Sequence, residues 1–142
     1  MMSIDLSTVN WTAVGTAAFG TFLLGGVWYT VLFGNVWKRL HGIDDAKVKE
    51  MQVRRPPPVF FSLMLIAYLV VATVLALLIG ALSIQTAAAG ALLGIVLWLG
   101  LAAAIGLTAW LPSDKPLSVF AIDWLFQLIF LAGMGATLGA WR

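Results

Sequence analysis

The sequence predicts an all-α polytopic membrane protein, a compact antiparallel bundle of four transmembrane helices that forms a single domain over residues 1–142. Four long apolar runs are the first observation behind this prediction, because each approaches or exceeds the roughly 20 residues that a helix needs to cross a bilayer. The second observation is composition: 10% of the residues are charged, against about 25% in an ordinary soluble domain. The predicted spans cover residues 10–33, 59–82, 86–111 and 117–141.

The longest connection between spans is a basic loop, predicted over residues 38–58. Asp44 is expected to cap a short helix at residues 43–51 of this loop, because its carboxylate accepts hydrogen bonds from free amides of the first turn. Three consecutive prolines, Pro56–Pro58, end that helix before span two begins. Pro116 suits the first turn of span four, where its missing N–H costs nothing.

Lysine and arginine residues predict the orientation of the chain. Six of them lie in the 38–58 loop and Lys115 lies between spans three and four, whereas Arg142 alone falls on the other side. Because basic loops stay in the cytoplasm, both termini should face outward. Topology therefore accounts for the basic charge balance, and nucleic acid is not a predicted partner. Four of these residues are expected to face anionic lipid or, as the alternative, to dock a protein partner: Lys38, Arg39, Arg54 and Arg55.

Cysteine is absent from the sequence and His41 is its only histidine. The absence of cysteine excludes disulfides, thiolate metal sites and a cysteine nucleophile, and a lone histidine argues against a multi-histidine metal or haem site within one chain. No metal, no cofactor and no catalytic residue set are predicted, so the chain is not expected to be an enzyme.

Tryptophans and small residues mark the ends and the packing faces of the spans. Indole rings favour the headgroup level of a bilayer, which predicts interface anchors at Trp11 and Trp141 on the outer side and at Trp37 and Trp110 on the inner side. Small residues four positions apart allow close approach of membrane helices, and the predicted packing positions are Ala72, Ala76, Gly80, Gly90, Gly94, Gly135 and Gly139. An alternative assigns Gly135 and Gly139 to a contact with another chain.

Asp123 is the one acidic or basic residue inside a predicted span, about 9 Å along the fourth helix from Leu117. A charge at that depth is costly, so its side chain should point into the bundle, toward a donor or a wet cavity. A tyrosine hydroxyl or an indole N–H would donate to the carboxylate. Two interpretations are left open: a polar clasp that fixes helix register, and a pocket near the cytoplasm for a cation, a proton or a ligand head group. Depth along the spans predicts a polar cluster of Asp123, Gln127, Trp28, Tyr29, Tyr68 and Thr108.

The chain resembles a known family in its tryptophan-rich landmarks. Asn10-Trp11 opens span one, Trp28-Tyr29 is followed by a Leu-Phe-Gly-x-x-Trp segment at residues 32–37, and a glycine-rich stretch ends at Trp141. This arrangement resembles the domain-of-unknown-function 1761 family of small bacterial membrane proteins. The resemblance implies a four-helix membrane domain without an assigned activity. In the family, span four often carries an Asn, two further residues and then a Tyr-His-like pair; here Asp123, Trp124 and Gln127 occupy that region, which argues against a histidine-dependent role.

Three functions are left open for such a chain. The first is a non-catalytic accessory or structural subunit that packs by its small-residue faces, in a homo-oligomer or on a larger membrane complex such as a respiratory or photosynthetic assembly. The second is a small dimeric transporter, coupled to protons or cations through Asp123. The third is a membrane enzyme acting on a lipid or quinone. The expected location is the bacterial inner membrane, with lipids and other membrane chains as partners. The deep tryptophans and Tyr29 either line a groove for a lipid tail, quinone or carotenoid or simply pack.

Overall fold

A computed structural model describes residues 4–142 of the chain. Over that range the protein is helical and has no strands, so the all-α prediction is confirmed. Four helices are long and apolar enough to cross a membrane, and they begin and end within two residues of the predicted spans. We call them spans one to four: Trp11–Leu32, Pro57–Ala81, Ala87–Trp110 and Leu117–Ala140.

Two of the spans are not continuous α-helices. A π-helical stretch, Trp28–Leu32, ends span one, and a second, Trp98–Ala103, interrupts span three. A π turn holds one residue more than an α turn, so the side chains that follow it are rotated by about 100° from the positions that regular helix geometry gives them. In chain order the α-helices are α1 (Trp11–Val27), α2 (Gly34–Leu40), α3 (Asp45–Arg54), α4 (Pro57–Ala81), α5 (Ala87–Leu97), α6 (Ala104–Trp110) and α7 (Leu117–Ala140).

The helix starts follow from local capping chemistry. The Asn10 side chain accepts a hydrogen bond from the Ala13 amide at 3.1 Å before α1, and Asp44 accepts one from the Lys47 amide at 2.7 Å before α3, which confirms the predicted cap. Helix α7 starts directly after Pro116. Helix α2, in contrast, lies where the sequence predicts no helix, and it proves important for the candidate site.

Helices α5 and α7 form the closest helix pair of the described structure. A Cβ atom added to Gly90 would overlap the carbonyl oxygen of Gly135, and one added to Gly94 would overlap that of Leu131. Gly139 lies against Thr86 and Gly90, so the contacts run in opposite directions along the two helices. The glycines therefore let the two backbones touch, as small residues do in membrane helix pairs.

This glycine seam corrects one alternative from the sequence. Gly135 and Gly139 are buried against α5 of their own chain, so they are not available for a contact with another chain. Of the other predicted packing positions, Ala72 is fully buried in the core and Ala76 is half-buried. Gly80 faces the Arg142 side chain, whose Nη2 would lie 3.5 Å from an added Cβ.

Spans one, two and four share the main apolar core. At the end of the bundle that holds the N-terminus, this core is built from small and aliphatic residues, which pack closely: Ala13, Val14, Ala18, Ala72, Leu75, Ile79, Met134 and Leu138. At the opposite end, large aromatic side chains replace them, among them Trp28, Tyr68 and Phe126. Aromatic rings of this size keep the helix axes further apart, and a groove opens between the helices.

Candidate functional site

The groove lies at the end of the bundle opposite the N-terminus and has a volume of about 1590 Å³. Side chains of α1, α4 and α7 form its length, and α2 and α3 border its mouth. A volume of this size exceeds the roughly 300–1,000 Å³ of ordinary small-molecule pockets. Its apolar walls carry Phe22, Phe60, Phe61, Met64, Phe126 and Phe130.

Asp123 of α7 lies in the wall of this groove and accepts two hydrogen bonds. The Tyr29 hydroxyl donates to Oδ1 at 2.6 Å, and the Trp37 indole N–H donates to the same oxygen at 3.3 Å. The two aromatic rings meet edge to face with centroids 5.9 Å apart, which holds both donors on one side of the carboxylate. Among the described residues no donor reaches Oδ2, so this second oxygen can accept from a ligand.

The backbone around the π-helical stretch of span one brings these donors to Asp123. The Phe33 amide donates to the carbonyl oxygen of Trp28 at 2.9 Å, five residues back, which closes the π turn. Gly34 follows directly, and a Cβ there would lie 2.8 Å from the Tyr29 carbonyl oxygen, so only glycine fits without a shift. Helix α2 can therefore begin close against the π turn, and its Trp37 returns onto Asp123.

Trp37 is consequently placed differently from its sequence assignment. The sequence predicts a membrane-interface anchor, whereas the structure turns the indole inward as a partner of Asp123. The signal was hidden because Trp37 follows the π turn and lies on a helix, α2, that the sequence does not predict. The other three predicted anchors lie at span ends: Trp11 and Trp141 are 54% and 44% exposed, and Trp110 donates to the Lys115 carbonyl oxygen at 2.9 Å. Their role at a lipid interface stays a prediction.

Two further members of the predicted polar cluster line the groove without bonding to Asp123. Tyr68 is 8% exposed and packs edge to face on Phe130, with centroids 5.5 Å apart. Gln127 lies one helical turn beyond Asp123, and its Oε1 is buried with no hydrogen-bond partner in the described structure. A buried amide oxygen without a donor costs free energy, which marks Gln127 as a polar residue retained in an apolar wall.

Thr108 and Trp28 do not join the cluster as predicted. The Thr108 side chain is exposed, and its hydroxyl donates to the Ile105 carbonyl oxygen at 2.7 Å. Thr108 faces outward because the π-helical stretch of span three rotates α6 away from the position that regular geometry gives. Trp28 is buried, but its indole packs on Phe33 and Phe126 and its Nε1 has no partner among the described residues.

Trp98 and Trp124, which with Trp28 are the deep tryptophans of the predicted spans, pack between spans three and four. The Trp98 indole N–H donates to the Trp124 carbonyl oxygen at 2.9 Å. Trp124 in turn fills the space above Gly106, where an added Cβ would lie 2.5 Å from the indole nitrogen. Packing, rather than a ligand groove, therefore accounts for this pair.

A basic mouth borders the groove. Three of the four cations predicted to face lipid line it, namely Lys38, Arg54 and Arg55, whereas Arg39 is exposed elsewhere. Sequence reasoning missed Lys47, which also lines the groove. The available signal was spacing, because positions 47, 51 and 54 share one face of a helix.

A second, smaller cavity of about 380 Å³ lies at the opposite end of the bundle. Asp5, Asn10 and Trp141 line it together with Arg142, whose Nη1 donates to the Ile84 carbonyl oxygen at 2.9 Å. Arg142 therefore ties the end of the chain to the turn between α4 and α5. The wide groove, which holds the intramembrane acid, is the better candidate site.

The polar side chains that line the groove can form hydrogen bonds and carry charge. They are a carboxylate, two phenols, an indole, a threonine hydroxyl and two amides, together with the cations of the mouth. Among residues 4–142 no group of three or more His, Cys, Asp and Glu side chains is arranged to hold a metal ion. A carboxylate with one occupied and one open oxygen can accept a ligand hydroxyl or N–H, or hold a proton or cation.

Comparison with known proteins identifies the family. The family model described as "Protein of unknown function (DUF1761)" matches residues 12–139. The chain belongs to the DUF1761 family. The resemblance drawn from the tryptophan landmarks is thereby confirmed, and the DUF1761 match includes Tyr29, Trp37 and Asp123. A comparison with curated proteins and one with solved structures each found no match.

Proposed function

We propose that this DUF1761 protein is a non-catalytic membrane protein that holds a membrane amphiphile in the groove beside Asp123. The single observation that carries the proposal is the groove itself, about 1590 Å³ of space whose apolar walls end at a polar site. A ligand with a hydrocarbon chain and a polar head would match both parts. The open Oδ2 of Asp123 would accept a hydrogen bond from a hydroxyl or N–H of that head.

The non-catalytic part of the proposal rests on the residues that face the groove. A nucleophile needs an adjacent base that is itself oriented, and the described groove lining contains neither histidine nor cysteine. Tyr29 already donates to Asp123, which uses the phenol as a support for the carboxylate. A transporter coupled to protons or cations would use the same carboxylate. Asp123→Asn in a reconstituted flux assay separates this function from ligand binding, because unchanged flux would exclude a transporter that depends on Asp123.

An accessory subunit of a homo-oligomer or of a larger, respiratory or photosynthetic, complex is the second candidate. The observation in its favour is span three, whose most apolar stretch has 11% of its residues buried against 33% for span one. Gly100 on this span has nothing within 4 Å of an added Cβ, so a neighbouring helix could approach it. Native mass spectrometry after gentle extraction would separate a self-contained ligand binder from a chain bound to other subunits.

The proposed orientation places the groove mouth in the cytoplasm and both termini outside the inner membrane. In the structure the basic residues of α2 and α3 lie at the groove end, and Arg142 lies at the other. Positive loops favour the cytoplasmic side. Reporter fusions to the C-terminus and to the α2–α3 loop should therefore give opposite compartment signals, and equal signals would contradict this topology.

The binding proposal is tested by filling the groove. Gly26 lines it and has nothing within 4 Å of an added Cβ, so the side chain of Gly26→Leu would start in open space and extend into the groove. Gly20→Leu is the matched control, because Gly20 lies on the same helix with equally open surroundings and outside the groove lining. Native mass spectrometry of the extracted protein should show a bound amphiphile in the wild type and Gly20→Leu but not in Gly26→Leu. Equal ligand retention by both variants would refute the proposal.

A further inference from the structure

Four cations line the same groove as the aromatic walls. Lys38 comes from the end of α2, Lys47 and Arg54 from α3, and Arg55 from the residue that caps α3. Val48 and Met51 of α3 line the groove as well. Helix α3 therefore offers both apolar and cationic side chains to one space, as a helix at a membrane surface does.

The acidic side chains of the loop leave this mouth positive. Glu50 pairs with Lys47 at 3.1 Å and with Arg54 at 3.0 Å. Lys38 and Arg55 make no ion pair within residues 4–142. Asp44 and Asp45 do not line the groove, and Asp44 is committed to the Lys47 amide. Four cations therefore outnumber the two carboxylates near them, Glu50 on α3 and Asp123 in the groove wall.

We infer that the occupant of the groove is an anionic phospholipid, with its phosphate at the cationic mouth and its acyl chains along the aromatic walls. This inference rests on the proposed function and adds the charge of the ligand. A phosphate suits the site because arginine forks bind its oxygens in pairs. A net cation would be repelled by the mouth, and a zwitterionic lipid would gain less from it.

Depth also fits this occupant. Lys38 follows Trp37, which bonds to Asp123, so this cation lies next to the half-buried carboxylate along the groove. Beyond them the groove continues to Phe22, Tyr68 and Phe130. A lipid with its phosphate at Lys38 and Arg55 would bring its head group close enough to Asp123 for a head-group hydroxyl to donate to the open Oδ2.

The test compares two lipids that have identical acyl chains and head groups of different net charge. Full-length protein, delipidated in detergent, is mixed with equal amounts of phosphatidylglycerol and phosphatidylcholine of identical acyl chains, and retained lipid is read by native mass spectrometry. The wild type should retain phosphatidylglycerol in preference. Each lysine or arginine near a membrane surface changes anionic lipid binding by about fivefold, so Lys38→Gln combined with Arg55→Gln should reduce the preference roughly 25-fold.

The matched control removes the same charge elsewhere on the loop. Arg39 and Lys49 are exposed and do not line the groove. Arg39→Gln combined with Lys49→Gln should therefore change the preference by no more than about twofold, because these charges attract an anionic lipid only weakly and from a distance. An equal loss in both double variants would assign the effect to overall loop charge and overturn the inference.

Failure of the inference and failure of the proposed function give different patterns. If the wild type retains both lipids equally and Gly26→Leu loses both, the groove binds lipid without selecting for head-group charge. In that case only the inference about the head group is wrong. If Gly26→Leu retains both lipids as the wild type does, groove binding itself is wrong. Displacement of phosphatidylglycerol by inorganic phosphate alone would make the cations a site for a free anion and would also overturn the inference.

Discussion

A single methyl group at Gly135 is predicted to separate span three from span four. In Gly135→Ala the new Cβ would overlap the Gly90 carbonyl oxygen and lie 2.7 Å from its carbonyl carbon. Optimal carbon–carbon contacts are about 3.5–4.0 Å, so the helices must part by roughly 1 Å. Backbone atoms cannot rotate aside as a flexible side chain can, and the strain therefore spreads along the seam to Gly94 and Gly139.

The expected loss of stability is at the upper end of ordinary overpacking. Extra methyl groups in packed interiors cost about 1–3 kcal/mol, and loss of the adjacent glycine contacts places Gly135→Ala near 3 kcal/mol, which is about a hundredfold in the unfolding constant. Gly133→Ala is the matched control on the same helix, because Gly133 is exposed with nothing within 4 Å of an added Cβ. It should change stability by less than about 0.5 kcal/mol, as surface substitutions do.

Reversible unfolding in mixed micelles, followed by tryptophan fluorescence, measures both variants. The loss in Gly135→Ala should not depend on protein concentration, because the seam joins two helices of one chain. Equal stability of the two variants would refute the packing argument. A loss that vanishes on dilution would instead return Gly135 to a contact between chains.

Three further predictions concern the groove. Gln127→Leu removes the buried Oε1 that has no described partner and should stabilise the ligand-free protein by about 1 kcal/mol; destabilisation in the same unfolding assay would show that the oxygen is satisfied. Tyr29→Phe removes the 2.6 Å hydrogen bond to Asp123 and should cost about 1.5–3 kcal/mol, with wild-type stability as the contradicting result. The hydrogen bond from Lys47, followed by the charges of Lys47 and Arg54, holds the pKa of Glu50 below its usual value, so this carboxylate offsets part of the positive charge of the mouth at neutral pH. Glu50→Gln should therefore raise phosphatidylglycerol retention several-fold, and unchanged retention would count against the cationic mouth.

The sequence predicts those parts of the fold that depend on local chemistry or on length. The span boundaries are predictable because a bilayer requires about 20 apolar residues in a run, and the Asp44 cap is predictable because a carboxylate satisfies the free amides of a first turn. The contact between Tyr29 and Asp123 follows from depth, since an intramembrane carboxylate needs a donor at its own level.

The rest of the candidate site depends on helix rotation, which an apolar sequence does not record. Membrane spans are hydrophobic on every side, so they have little of the periodicity that shows which residues share a face. The π turns at Trp28–Leu32 and Trp98–Ala103 therefore leave no pattern in the sequence. They are the reason that Thr108 faces outward and that Trp37, on the unexpected helix α2, faces Asp123.

The position of the groove follows from the two unlike faces of α7. One face carries Gly135 and Gly139, which draw α5 into backbone contact and leave no space between the helices. The other face carries Phe126 and Phe130, whose rings meet the aromatic residues of spans one and two at centroid distances of 5.3–5.8 Å. Rings hold helices apart where glycines bring them together, so tight packing on one side of span four provides a firm support for the open side. Asp123 lies on the open side, near the cationic mouth, where a charged group is least costly and a ligand head can reach it.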